Sequence, residues 1–112
     1  MTIIVFGIES ANQDILDFYN KQTTVEKCRE AVRLADQFNI LSYGNFIIGA
    51  PFEDAVHFDN NRSFFRSEPL DFLNVHILHY VKGTELWNDA LARNLIRADE
   101  VMVAADERIS RP

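Results

Sequence analysis

Three short apolar segments, each followed by a segment of helical periodicity, alternate along this chain. Residues 2–8 are almost continuously apolar, which predicts a strand buried on both faces, and residues 41–48 are predicted as the next strand. Residues 72–80 alternate between apolar and polar positions and predict a third strand. Helices are expected over about 10–20, 23–39 and 54–67, with a fourth after Thr84. The order β-α-β-α-β-α predicts a parallel sheet with right-handed crossover connections.

Capping residues set the expected helix boundaries. Thr23 with Glu26 three residues later forms a capping-box pattern at the start of the second helix, and Asn39 suits its end. Gly83 turns the chain before Thr84, which caps the fourth helix. The predicted fold class is therefore α/β, a three-stranded parallel βαβαβα unit. Such a sheet has two unpaired edges, so the chain is expected either to dimerise or to belong to a larger barrel.

Composition narrows the classes of partner. The 112 residues predict a single domain, with 108–112 as a disordered tail. A formal net charge of −6 argues against nucleic-acid or anionic-membrane partners. No apolar run is long enough to span a membrane, and no basic segment precedes an apolar one at the N-terminus, so export is not expected. A single cysteine excludes an internal disulfide, and a cytoplasmic location is expected.

Two of the predicted strands end in bare backbone followed by polar residues. Gly7 precedes Glu9 and Ser10 at the end of the first strand, and Gly49 precedes Pro51 at the end of the second. Ligands of α/β proteins bind at the carboxyl ends of parallel strands. The two strand ends therefore predict half of a small-molecule site.

The order of these motifs resembles the radical SAM superfamily, and within it the members that carry a cobalamin-binding domain. The resemblance covers roughly residues 2–92 and lies in four segments, namely Gly7-Ile8-Glu9-Ser10, Asn20-Lys21, Phe46-Ile47-Ile48-Gly49-Ala50-Pro51 and Gly83-Thr84-Glu85-Leu86-Trp87. It implies half of a (β/α)6 partial TIM barrel that binds S-adenosylmethionine at the strand ends. By this resemblance Glu9 and Ser10 meet the ribose hydroxyls, and Ile48 and Gly49 lie against the adenine.

The sequence departs from the resembled family in two ways. Asn45 replaces the glycine that opens the adenine motif, and Ala11-Asn12 replace the usual Gly-Ser after the glutamate. The Cys-x3-Cys-x2-Cys motif that holds a [4Fe–4S] cluster in the family does not occur, since Cys28 is the only thiol. The chain is therefore expected to resemble the second half of such a barrel and to bind no cluster by itself.

Two histidines on the third predicted strand suggest metal binding, but their spacing opposes it. His76 and His79 are three residues apart and would point to opposite faces of a strand, so no metal site is predicted. Alternation places Leu73, Val75 and Ile77 towards the helices, which leaves Asn74, His76, Leu78 and Tyr80 facing the barrel interior. His76 and Tyr80 are therefore candidate cofactor contacts, although a structural role is favoured for His76. His57 is expected to be solvated.

Structural roles compete with ligand binding at each strand end. Glu9 can cap the next helix as well as bind ribose, and for Ser10 a capping role is favoured. Gly49 can serve only to permit the turn before Pro51. Glu53 is typical of the start of a helix, and Cys28 is expected to act as a small buried apolar residue.

The functional prediction is a fragment of a radical SAM enzyme that supplies the adenine and ribose side of the cofactor site and is inactive alone, with no catalytic residue of its own. The parent activity implied by the resemblance is an Fe–S oxidoreductase or a cobalamin-assisted methyltransferase. The expected partner is the missing N-terminal half of the barrel or a second copy of the chain. The alternative is a non-catalytic α/β module that dimerises through its sheet edges; a complete small enzyme using Glu9 and His76 as acid and base is less favoured.

Overall fold

The computed structural model describes residues 2–97, 99 and 102–104. Its elements are, in chain order, β1 (Ile3–Glu9), α1 (Gln13–Phe18), α2 (Val25–Gln37), β2 (Leu41–Ile48), α3 (Ala55–Ser67), β3 (Phe72–Ile77), β4 (His79–Val81), α4 (Glu85–Ala92) and β5 (Met102–Ala104). The chain divides into two compact units, one up to His76 and one from Ile77 onwards. The single domain predicted over residues 1–112 stays a prediction, and the predicted tail at 108–112 lies outside the described residues.

A three-stranded parallel sheet in the order β1-β2-β3 forms the framework of the first unit. Strands β1 and β2 pair in register from Ile3 with Leu41 to Gly7 with Asn45. The register then shifts, and Glu9 is the residue opposite Phe46. This arrangement confirms the predicted α/β class, with parallel strands alternating with helices.

The core of the first unit lies between one face of this sheet and helices α2 and α3. Ile8, Val32, Phe46 and Phe64 form its buried cluster, one residue from each of β1, α2, β2 and α3. The rings of Phe46 and Phe64 meet edge to face with their centroids 6.1 Å apart. Full burial of a side chain of this size stabilises a fold by about 1.5–3 kcal/mol, so these contacts fix both helices on the same face.

The opposite face of the sheet is open in the first unit. Ile3 and Val5 on β1 are 50% and 61% exposed, and Phe72 on β3 is 45% exposed. The expectation that residues 2–8 are buried on both faces is therefore wrong. Both crossover helices lie on one side because both connections have the same hand, and none of the described elements of this unit covers the other side.

The helix starts follow their capping residues with one shift. Thr24, not Thr23, caps α2, and its side chain accepts a hydrogen bond from the Lys27 N–H at 3.1 Å. Thr23 lies in the preceding turn, where its N–H donates to the Lys21 carbonyl. The Asp54 carboxylate caps α3, and the observed helix matches the predicted range of 54–67 closely.

The strand predicted over residues 72–80 is interrupted. β3 ends at Ile77, and His79–Val81 belongs instead to an antiparallel pair with Met102–Ala104 in the second unit. The expectation of one continuous strand is wrong because β5, which the blurred pattern after Ala98 did not predict, supplies the hydrogen bonds to the segment around Tyr80. The predicted cap of α4 is confirmed, since Thr84 Oγ1 accepts from the Trp87 N–H at 3.2 Å.

Within the described residues no helix combines the length and the apolar character that crossing a membrane requires.

Candidate functional site

The ends of the three parallel strands define the candidate site. Because β1, β2 and β3 run in the same direction in one sheet, their carboxyl ends meet at the same edge. Glu9 ends β1, Gly49 follows the last residue of β2, and His76 is the penultimate residue of β3. The backbone therefore brings these three predicted site residues to one edge of the first unit.

Glu9 lies at the irregular end of β1 with its side chain turned back over the strand. Its φ of 69° is in the left-handed region, which a residue with a side chain seldom adopts. A Cβ placed on Gly7 would lie 3.1 Å from Glu9 Oε1 and 3.4 Å from Lys21 Nζ. The carboxylate thus occupies space that only a glycine at position 7 leaves open, and the Lys21 ammonium lies 4.0 Å from it.

Glu9 does not cap α1, because the N-cap residue of that helix is Asn12. The Glu9 carboxylate instead lies beside Lys21, and 15% of the Glu9 side chain is exposed. A carboxylate in this setting can accept hydrogen bonds from a pair of neighbouring hydroxyls.

Ser10 is fully buried and its hydroxyl is engaged within the protein. Ser10 Oγ accepts from the N–H of Asn12 at 3.2 Å and from its side-chain amide at 3.0 Å. It also donates to Asn61 Oδ1 on α3 at 3.3 Å. Ser10 therefore joins the end of β1 to α3, while its predicted contact with a ribose stays a prediction.

The turn after β2 is closed by a glutamate whose role the sequence did not reveal. The N–H groups of Gly49 and Ala50 both donate to Glu53 Oε1 at 2.8 Å. Gly49 has a φ of 115°, a conformation that favours glycine. Glu53 thus holds the turn through its carboxylate, and a Glu four residues after the glycine that follows a strand is the pattern that could have predicted it.

The side chain of Ile48 lies on the helix-covered face of the sheet. It lines a cavity of about 220 Å³ together with residues of β2, β3 and α3, which are Phe46, Phe58, Asn61, Arg62, Phe65, Leu73 and Val75. Strand alternation puts Asn45 and Ile47 on the other, open face, beside Gly7. An apolar contact with a ligand on the open face therefore involves Ile47 more directly than the Ile48 side chain.

The side-chain oxygen of Asn45, on the same face of the sheet, is a buried hydrogen-bond acceptor. Among the described residues its Oδ1 has no hydrogen-bond donor although the atom is buried. An unpaired buried acceptor costs about 1–3 kcal/mol, so a donor on a bound ligand would relieve it. In the sequence analysis, Asn45 was noted only because it replaces the glycine that opens the adenine motif of the resembled family.

His76 and Tyr80 belong to different strands. His76 is exposed on β3, and its Nε2 lies 2.8 Å from the amide nitrogen of Asn74 on the same face. Leu73 and Val75 line the cavity beside α3, which confirms the alternation predicted for this strand. Tyr80 is fully buried in β4 of the second unit. The cofactor contacts predicted for His76 and Tyr80 stay predictions.

The surroundings of the only thiol, that of Cys28, favour packing over reactivity. Cys28 on α2 is half-buried and packs against the core of the first unit. Burial raises the pKa of this thiol, partly opposed by the charge of Lys21, so the reactive thiolate is disfavoured. No group of three His, Cys, Asp or Glu side chains that could hold a metal ion occurs among the residues that the structure describes.

Comparisons with known proteins identify three relatives, each named for a different activity. No protein-family model matches the chain. An uncharacterized methyltransferase of Pyrococcus horikoshii is 36% identical over 93 residues, which are 83% of this chain and 20% of that protein. A protein of Methanocaldococcus jannaschii named as a methylthiotransferase is 31% identical over 83 residues, 74% of this chain and 18% of the relative.

The third relative matches a shorter segment. The anaerobic magnesium-protoporphyrin IX monomethyl ester cyclase of Cereibacter sphaeroides is 44% identical over 46 residues, 41% of this chain and 8% of that enzyme. The chain thus spans about a fifth of the length of the first two relatives. The three named activities are consistent with the radical SAM superfamily that the sequence motifs resemble.

Proposed function

We propose that this chain is the adenosyl-binding part of a larger radical SAM enzyme and performs no radical chemistry by itself. The observation that carries the proposal is the Glu9 carboxylate lying over the bare backbone of Gly7 at the end of β1. Relatives named as a methyltransferase and a methylthiotransferase support methyl or methylthio transfer as the reaction of the whole enzyme. The subgroup with a cobalamin-binding domain remains part of this proposal.

The donor groups at the strand ends fit the nucleoside half of S-adenosylmethionine. The Glu9 carboxylate would accept hydrogen bonds from the ribose hydroxyls, and the unpaired Oδ1 of Asn45 would accept one from an amino or hydroxyl group. Ile47 offers an apolar surface on the same face, and the space over Gly7 holds the Glu9 carboxylate that would meet the ribose. When bound, the cofactor supplies an activated sulfonium; these residues would only bind and orient its adenosine.

A [4Fe–4S] cluster does not fit this chain. Such clusters are held by several thiolates, whereas Cys28 is the only cysteine and the pKa of its thiol is raised by burial. We therefore assign the cluster to another part of the parent enzyme.

Nuclear magnetic resonance of the 112-residue chain with S-adenosylhomocysteine tests the proposal, because shift titrations detect the weak affinity expected of half a pocket. We expect amide shifts to cluster at Gly7, Glu9, Asn45 and Gly49. Glu9→Gln should weaken binding about tenfold, since a charge-assisted hydrogen bond is replaced by a neutral one. Glu30→Gln, an exposed glutamate on α2, is the matched control and should leave binding unchanged.

2′,3′-Dideoxyadenosine separates ribose recognition from contact with the base. It lacks both hydroxyls, so we expect it to bind wild-type and Glu9→Gln equally weakly. Shifts scattered over the molecule, or equal affinity of both chains for S-adenosylhomocysteine, would overturn the proposal.

A second candidate function is an interaction module without catalysis. The open face of the sheet, with Ile3, Val5 and Phe72 about half exposed, favours it. Either the remaining half of a barrel or a second copy of the chain would cover this face. Separately from this face, a cavity of about 180 Å³ between β1 and α2, lined by Phe6 and Cys28 among others, lies at the unpaired edge of β1.

A further inference from the structure

Four polar side chains connect the end of β1 to α3. Asn61 Oδ1 accepts from the Ala11 N–H at 2.7 Å, from Ser10 Oγ at 3.3 Å and from the side-chain amide of Asn12 at 3.3 Å. The same Asn12 amide donates to the His57 carbonyl at 3.0 Å. Asn60 completes the group by donating to Asn12 Oδ1 at 2.7 Å. We call Ser10, Asn12, Asn60 and Asn61 the amide cluster.

Backbone groups at both ends fix the direction of every hydrogen bond in the amide cluster. The Ala11 N–H can only donate, so Asn61 must present its oxygen there. The His57 carbonyl can only accept, so Asn12 must present its nitrogen to α3. Asn12 Oδ1 then faces Asn60, which must donate. Asn61 therefore acts as an acceptor and Asn60 as a donor.

Burial makes these hydrogen bonds selective for one backbone arrangement. Ser10 is fully buried and Asn12 is 5% exposed. A buried polar group left without its partner costs about 1–3 kcal/mol. The loop after β1 therefore has little freedom to shift relative to α3 while the cluster is intact.

We propose that Asn61 is a positioning residue that holds Glu9 in its left-handed conformation and thereby directs the carboxylate over Gly7. The effect of this positioning on nucleoside affinity rests on the proposed function. A residue with a side chain at a φ of 69° persists only when its surroundings fix it. The Ala11 N–H, two residues after Glu9, is fixed by Asn61, and the Ser10 N–H donates to the Ile8 carbonyl at 2.8 Å.

Helix α3 also links the two strand ends of the candidate site. It begins directly after the turn that Glu53 closes beneath Gly49. Two turns later the same helix presents Asn61 to Ala11. One rigid element thus sets the positions of both Gly49 and Glu9, which no direct hydrogen bond of the described residues connects.

Substitutions of matched shape and opposite hydrogen-bonding capacity test the inference. Asn61→Asp keeps the acceptor, and Asn61→Leu removes it at similar volume. Asn60→Asp removes a donor and brings an acceptor against Asn12 Oδ1. We therefore expect Asn61→Asp to be tolerated, whereas Asn61→Leu and Asn60→Asp should both disturb the loop. Glu68→Gln, at the far end of α3, controls for a general loss of stability.

Two readouts separate this inference from the proposed function. Without ligand, hydrogen exchange of the Ala11 amide should accelerate at least tenfold in Asn61→Leu, with altered Glu9 backbone shifts, and stay near wild type in Asn61→Asp and Glu68→Gln. With S-adenosylhomocysteine, Asn61→Leu should weaken binding about tenfold and Asn61→Asp should restore it. Absence of wild-type binding would defeat the proposed function, and the exchange data would still decide on positioning. Unchanged Ala11 exchange and Glu9 shifts in Asn61→Leu, or equal damage in Asn61→Asp, would overturn the inference.

Discussion

Glu9 combines a strained backbone with a constrained side chain. Its left-handed conformation follows a register shift in β1, where one extra residue is accommodated between Gly7 and Glu9. The left-handed region costs a residue with a Cβ about 1–2 kcal/mol, and glycine would avoid that cost. A glutamate kept at such a position is typical of a functional site, since strain is retained where the side chain is needed.

Substitution at position 9 should therefore separate backbone strain from loss of the carboxylate. Glu9→Gly and Glu9→Ala both remove the carboxylate, but only glycine relieves the backbone, so we expect Glu9→Gly to be more stable by about 1 kcal/mol. Urea unfolding measures the difference. At Glu30, inside α2, the order should reverse, because glycine is about 1 kcal/mol less favourable than alanine in a helix. Equal stabilities at position 9 would contradict the strain.

Helix α3 is anchored at its two ends by charged groups. At the start, His57 Nδ1 lies 2.9 Å from Asp54 Oδ1 and His57 Nε2 lies 2.8 Å from Asp14 Oδ2 of α1. At the end, Glu68 is 1% exposed and accepts from Arg33 Nε at 2.7 Å. Burial alone would raise the pKa of Glu68, but the hydrogen bonds from Arg33 and Ser67 outweigh it and the pKa is lowered. Helix α3 is thus linked to α1 at its start and to α2 at its end.

His57 should make the stability of the first unit fall as the pH rises above neutrality. The hydrogen bond to Asp14, opposed by desolvation and reinforced by Asp54, raises the pKa of this histidine. A raised pKa in the folded state means that the stabilisation is complete below the unfolded value of about 6.5 and is lost as the pH passes the folded value. Asp14 and Asp54 are both exposed, so we expect a loss of about 0.5 kcal/mol.

Urea unfolding at pH 6 and pH 8 measures this effect. His57→Gln should abolish that part of the pH dependence, whereas His79→Gln, a histidine of the second unit, should retain it. The same pH dependence in wild type and His57→Gln would contradict the assignment.

At the scale of the whole molecule, the open face of the sheet in the first unit is the feature from which we propose a partner. Its exposed apolar residues include Ile3, Val5 and Phe72, and the rings of Tyr43 and Phe72 lie 6.0 Å apart on it. Contiguous exposed apolar surface of this kind marks an interaction site. In a longer enzyme the rest of a barrel would cover it, and for the isolated chain a second copy is the available cover.

We therefore expect the isolated chain to form a dimer in solution and Val5→Glu to make it monomeric. In such a dimer, a charge at position 5 on the open face would have to be buried without a counter-charge, which is strongly unfavourable. Multi-angle light scattering measures the mass. Leu34→Glu is the matched control, because Leu34 is 54% exposed on α2, away from the sheet, and its substitution should leave the dimer intact. A monomeric wild-type chain would contradict the self-association.

The parts of the fold that depend on local patterns were predictable. The bounds of β2, the range of α3 and the alternation of β3 follow from neighbouring residues, and all agree with the structure. The parts that depend on a distant partner were not. β3 and β4 separate because β5 pairs with β4, and His57 is only 15% exposed because Asp14 approaches from another helix, so the expectation that it is solvated is wrong.

The sequence by itself determined the alternation of strands and helices and the polar residues that follow each strand, because periodicity and capping act over a few positions. Only the tertiary structure decided which groups at those strand ends face each other. The carboxylate of Glu9 over Gly7, the link from Asn61 to Ala11 and the exposure of Val5 all arise from contacts between segments far apart in the chain, or from their absence within the described first unit. Side-chain direction at an irregular strand end is set by such long-range packing, which no local pattern encodes.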